Sequence, residues 1–188
     1  MGVPTPLTKE QAPAELHKIY DQMLKDIGSI PNIFGVVARF PAALKTLIQF
    51  YDAVMNQGKI ETKYKELAYL KTSIINECEY WTVAHTASAK QAGVTDEQIQ
   101  ELRFYRHSEA FDEKEKIIIR FADIVTRGAT AVDPAVLEYV GKYNSEDEIV
   151  ELTMVIALAN LVNRVNDTLQ VTRIEDEAED TVRIEVMD

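Results

Sequence analysis

The stretch Asn76–Gly93, N-E-C-E-Y-W-T-V-A-H-T-A-S-A-K-Q-A-G, holds the only cysteine (Cys78), the only tryptophan (Trp81) and one of the three histidines (His85) of the chain. Asn76 with Glu79 three residues on has the form of a capping box, and Gly93 the form of a helix stop, so the spacing predicts one helix. Cys78 then falls in the first turn, where unpaired backbone N–H groups and the positive end of the helix dipole favour a thiolate. Glu77 and Glu79 flank the sulfur and oppose its ionisation. Cys78, Trp81 and His85 stand at i, i+3 and i+7 and share one face, which is either reactive or simply packed. At ~1.5 Å of rise per residue, Cys78 and His85 are about 10 Å apart along the axis, too far for a direct hydrogen bond.

Helical signals continue in both directions. Upstream, Leu16, Ile19, Tyr20, Met23, Leu24 and Ile27 recur at helical period within 13–27, and Gly28–Asn32 interrupts them. A short apolar segment, 33–40, follows. Pro41 opens a helix to about Asn56 with Leu44, Leu47, Ile48, Tyr51 and Val54 inward. Glu61 to about Ile75 is the next, with Leu67, Ala68, Leu70 and Ile74 on its buried side. Downstream, Thr95 with Gln98 and Ser145 with Glu148 are further capping boxes, Asp112 caps a helix to Thr126, and Asp133-Pro134 starts a shorter one. The last helix runs to about Gln170. Short connections between so many helices predict an all-α bundle. Residues 1–12 read as an irregular arm, 13–171 as one helical domain, and 172–188 as an acidic tail. In that tail Val182, Ile184 and Val186 alternate as a short strand would.

A chain of 188 residues supports one substantial core. Its formal charge of −11 argues against nucleic acid or an anionic membrane as partner. One cysteine excludes an internal disulfide framework and suits a reducing cytosol. The start, M-G-V-P-T-P-L-T, has no apolar signal core, and Pro6 breaks a myristoylation motif at Gly2. The expected location is the cytoplasm. No G-x-G-x-x-G, G-x-x-x-x-G-K, H-E-x-x-H or Glu-x-x-His pattern is present, so no metal and no cofactor is expected.

Glu66 lies twelve residues before Cys78, and an antiparallel return brings it beside the Cys78–His85 face. A partly buried carboxylate next to an imidazole is an acid/base pair. The competing reading is a surface ion pair with Lys63. Cys78 competes with the role of a buried small hydrophobe, His85 with that of a satisfied core or surface histidine, and Trp81 reads as core or pocket wall. Arg164, in the last helix, reads as a structural ion pair before it reads as a carboxylate binder. His17 and His107 read as surface residues.

The run Lys65–Ile99, K-E-L-A-Y-L-K-T-S-I-I-N-E-C-E-Y-W-T-V-A-H-T-A-S-A-K-Q-A-G-V-T-D-E-Q-I, resembles the carboxymuconolactone decarboxylase / alkylhydroperoxidase D superfamily. G-S-I-P-N-I-F (28–34) and N-R-V-N-D-T-L (163–169) resemble its peroxidase-related subgroup, so the likeness spans about residues 13–171. It implies catalytic roles for Glu66, Cys78 and His85, a pocket shaped by Tyr80 and Trp81, and a small-molecule substrate. It also implies a homo-oligomer (dimer, trimer or hexamer), whose subunits would bury apolar positions such as Ile33, Phe34, Val36 and Val37. The departure is at Trp81, which stands where the dithiol members carry the second cysteine of C-x-x-C. An internal dithiol cycle is therefore impossible. Three expectations follow, in this order: a single-cysteine peroxidase served by an external thiol reductant; an acid/base lyase using His85 and Glu66 on a small carboxylated substrate; or a non-catalytic helical oligomer whose site Trp81 has filled.

Overall fold

The computed structural model describes residues 2–173. The alternating segment around Val182, Ile184 and Val186 lies outside them. The described residues are all-α, with no strand: α1 (His17–Asp26), α2 (Asn32–Val37), α3 (Pro41–Asn56), α4 (Thr62–Ile75), α5 (Glu79–Gln91), α6 (Asp96–Glu101), α7 (Glu113–Gly128), α8 (Pro134–Val140) and α9 (Glu146–Thr168), with short 3-10 turns before α1, after α6 and after α7. None of these helices is long and apolar enough to cross a membrane.

The chain divides into two compact units, one formed by Leu47–Thr168 and one by the described residues before and after it. In the latter, residues 2–12 carry no helix but are pinned. Leu7 N–H donates to Gly35 O at 3.0 Å, Tyr20 O–H to Leu7 O at 3.1 Å, and the Arg39 guanidinium to Thr5 O and Oγ1, each at 3.0 Å. Gly35 is required there, because a Cβ would come within 2.8 Å of Pro6 Cβ. The segment 33–40 forms α2. Ile33, Phe34 and Val36 are buried in the chain itself, which corrects their assignment to a subunit interface; Val37 is half-buried.

In the larger unit α4 packs against α5, α7 and α9. Enclosure on several sides explains why Lys65 to Ser73 are buried without a break, polar residues included, where periodicity marked one apolar side. Capping boxes form at Thr95/Gln98 and Asp112/Glu115, and Asp133 caps α8. Ser145 and Glu148 exchange the bonds of a third box at the start of α9.

The Asn76/Glu79 box does not form. Asn76 ends α4, Glu77 takes the left-handed conformation (φ 58°), and the N–H groups of Glu77 and Cys78 turn back to Ile74 O and Ser73 O. That is a Schellman closure with glutamate in the usual glycine position. Cys78 becomes the N-cap of α5. The Asn76 amide instead reaches α9, donating to Asn160 Oδ1 and Asn163 Oδ1 at 3.1 and 2.9 Å. Gly93 (φ 93°) closes α5 by the same motif, as expected.

Candidate functional site

The α4–α5 hairpin turns two faces together and brings Glu66 to His85. His85 Nδ1 and Glu66 Oε2 are 2.7 Å apart, and both side chains are about 95 % buried or more. The alternative partner of Glu66, Lys63, pairs with Glu115 instead. On the other edge of the imidazole, Nε2 lies 2.8 Å from the hydroxyl of Tyr51, contributed by α3. With Nδ1–H donated to the carboxylate, Nε2 is the acceptor for the Tyr51 O–H, so the hydrogen bonds fix one tautomer. Burial, and then the Glu66 charge, push the Tyr51 hydroxyl well above the usual phenol range, so it remains a proton-bearing phenol. Tyr51 as a residue is half-buried, whereas His85 and Glu66 are buried.

Aromatic rings frame the imidazole. Tyr69 stacks on His85 with centroids 3.5 Å apart and planes 13° from parallel. Trp81 stands 5.7 Å from His85 and 6.3 Å from Tyr51, and the ring of half-buried Tyr80 lies 5.3 Å beyond Trp81. Two donors in this group meet no acceptor: Tyr69 O–H and Trp81 Nε1–H, both shielded from solvent. A buried donor left unpaired costs about 1–3 kcal/mol, so a ligand bearing an acceptor finds them already desolvated.

Cys78 is placed differently from the expectation. It is fully buried, and its S–H donates to Asp167 Oδ1 of α9 at 3.0 Å. The N–H groups of Trp81 and Tyr80 do pull the thiol pKa down, as a helix start should. Desolvation first, and the Asp167 hydrogen bond second, outweigh them and push it up to about 12. The carboxylate that opposes ionisation is therefore Asp167, not Glu77 or Glu79. Of the three predicted catalytic residues the structure joins Glu66 to His85, while Cys78 is bonded to neither. Arg164 donates to Asn160 O and Oδ1 within its own helix rather than to a carboxylate. His17 is half-buried against Ala12 O, not a plain surface residue, and His107 is exposed.

Sequence reasoning missed Tyr51, Tyr69 and Asp167 as members of the site. Tyr51 carried one signal, its inward position on α3. Asp167 carried another, its place in N-R-V-N-D-T-L.

Residues 41–123 match the model of the carboxymuconolactone decarboxylase family. The match covers less than half of the chain, and it supports the likeness to the carboxymuconolactone decarboxylase / alkylhydroperoxidase D-like superfamily. Glu66, Cys78, Trp81 and His85 all fall within the matched region. Among solved structures, a peroxidase-related protein from Silicibacter sp. TM1040 is similar with a TM-score of 0.81 at 22% identity, over 92% of this chain and 93% of that one. The debrominase Bmp8 in complex with 2,3,4-tribromopyrrole gives a TM-score of 0.79 at 19% identity, over 92% and 91%. A putative antioxidant defence protein AhpD from Agrobacterium tumefaciens gives 0.68 at 26% identity, over 72% of this chain and 93% of its own. No curated protein matches the chain.

Proposed function

We propose that this protein is an acid–base enzyme acting on a small, uncharged molecule, with Tyr51 as the group that meets the substrate. The observation that carries this reading is the continuous Tyr51–His85–Glu66 relay, 2.8 and 2.7 Å link to link. As the substrate's proton moves to the Tyr51 oxygen, the phenol proton moves to His85 Nε2, and Glu66 stabilises the imidazolium that results. The reverse sequence returns a proton to the substrate at the same or another atom, so no net charge is left on the protein. Tyr69 O–H and Trp81 Nε1–H are the donors for a carbonyl-type oxygen that gains charge along the way. The side chains of this relay and of Cys78 bring two carboxylates, Glu66 and Asp167, and no Lys or Arg. That balance favours a neutral lactone or ketone over the carboxylated substrate expected from the family likeness.

A thiol-peroxidase reading rests on the Cys78 S–H held against Asp167 and on neighbours named peroxidase-related or AhpD. In it Asp167 takes the thiol proton and the sulfur attacks a hydroperoxide. An S–O bond forms, the O–O bond breaks, and the leaving alkoxide takes up the proton. One external thiol then displaces water from the sulfenic acid, and a second releases the mixed disulfide. The buried, protonated thiol ranks this second.

Three variants separate the readings. Turnover is measured on a panel of unsaturated lactones and ketones, and on cumene hydroperoxide with dithiothreitol. Tyr51→Phe and His85→Ala should each lower acid–base turnover by roughly 10²–10⁴-fold, with Cys78→Ser near wild type. Loss of activity in Cys78→Ser with Tyr51→Phe unaffected would replace the first reading by the second. We propose also that the chain self-associates through the exposed stripe Val150, Met154 and Leu161 on α9. Light scattering that gives a monomer's mass at micromolar concentration removes that assignment.

A further inference from the structure

Helix α4 buries two lysines, and they are treated in opposite ways. Lys65 is 2% exposed, and its ammonium donates to Val54 O at 2.8 Å and to Gln57 O, with a Glu151 oxygen 3.9 Å away. Those acceptors tie the α3–α4 connection to the core. Lys71 is 5% exposed, and among the described residues its ammonium has no hydrogen-bond acceptor and no ion pair; it lies 4.9 Å from the centroid of the Tyr105 ring. The Lys71 nitrogen is not one of the partnerless polar atoms sealed from solvent, so the stem is buried while the ammonium tip meets water.

The surroundings of Lys71 add positive charge. Arg103 and Arg106 come from the segment around Tyr105, Arg127 comes from α7, and among the described residues the carboxylate acting on the lysine is Asp123. Both oxygens of Asp123 are already engaged, Oδ1 by Arg127 Nε at 2.7 Å and Oδ2 by Arg106 at 3.4 Å. Arg106 also donates to Tyr105 Oη at 3.1 Å. The Arg106 and Arg127 side chains remain about two-thirds exposed. A guanidinium has five N–H donors, so each keeps several free. Four cations thus face one carboxylate in a chain whose formal charge is −11. Helix dipoles do not create this; side chains from three segments do.

We propose that Lys71, Arg103, Arg106 and Arg127 form a binding site for a small oxyanion, a phosphate or carboxylate group, with Lys71 as its floor and the arginines as its rim. The ligand accepts hydrogen bonds from the ammonium and from the free guanidinium edges, and displaces the water that the Lys71 tip meets. The site lies on the α7 side of α4, away from the Tyr51–His85–Glu66 relay. It does not depend on the catalytic reading.

The test is isothermal titration of the intact protein with inorganic phosphate and, separately, with citrate, in buffers matched in ionic strength with sodium chloride. Saturable binding is expected, and Lys71→Met should weaken it by about tenfold or more, the loss of one charge-assisted contact. Arg103→Gln is the second variant, at an exposed position outside the Asp123 pairs, and should weaken binding in the same direction. Phosphate heats no larger than those of matched chloride, or equal affinity in the wild type and Lys71→Met, would overturn the site. A molecular mass that rises on dilution out of phosphate, and is lowered by Lys71→Met, would assign the cations to carboxylates of a second copy instead.

Discussion

Two faces of α4 bury charge, and only one balances it within the chain. Toward α5, Glu66 meets His85, and His85 meets Tyr51, so each member of the relay has a partner. Toward α7, Lys71 meets an aromatic ring and a ring of arginines. The difference teaches that burial alone does not define a role. A buried ion with its partners in place is oriented and can transfer a proton, whereas one without them is built for something that arrives from outside.

Breaking the satisfied face should have the largest effect. Glu66→Ala leaves the buried imidazole N–H unpaired and opens a cavity, and urea unfolding should register a loss of about 3–4 kcal/mol. The two lysines sharpen the comparison. Lys65→Met abandons two carbonyl acceptors and should cost about 2–3 kcal/mol. Lys71→Met, measured without phosphate, should be within about 1 kcal/mol of neutral, because the stem stays packed and the ammonium lost is one that water already solvates. Equal losses at both positions would erase the distinction between the faces.

Cys78 gives a pH signature. Its thiol is raised to about 12 in the folded protein, above the unfolded value, so the unfolded state ionises first. The associated stability is complete below about pH 8.5 and drains away as pH rises toward 12, by at most ~1.4 kcal/mol per pH unit. In Cys78→Ala that alkaline slope should be shallower, and iodoacetamide should label the native wild type slowly at pH 8. The smallest effect belongs to the hairpin itself. Glu77→Gly should gain about 0.5–1 kcal/mol, since glycine adopts the left-handed conformation without the Cβ penalty, less its greater chain entropy.

Local chemistry was legible wherever a side chain bonds its own helix end. The boxes at Thr95, Asp112 and Ser145 form because donor and acceptor lie three residues apart and need no third element. Asn76 carried the same local signal and did something else. Two acceptors on α9, Asn160 and Asn163, compete for its amide, and they lie more than eighty residues away. Cys78 repeats the pattern, with Asp167 overriding the helix start.

The sequence by itself determined the helices, their order, and the antiparallel return that sets Glu66 against His85, because periodicity, caps and short loops are local properties of the chain. Tertiary structure alone decided that Tyr51 completes the relay, that the only cysteine thiol is sealed and protonated, and that the Lys71 stem is buried among arginines. The physical reason is that each of these outcomes depends on desolvation and on partners from helices remote in sequence, and neither is set until α4 is enclosed by α5, α7 and α9.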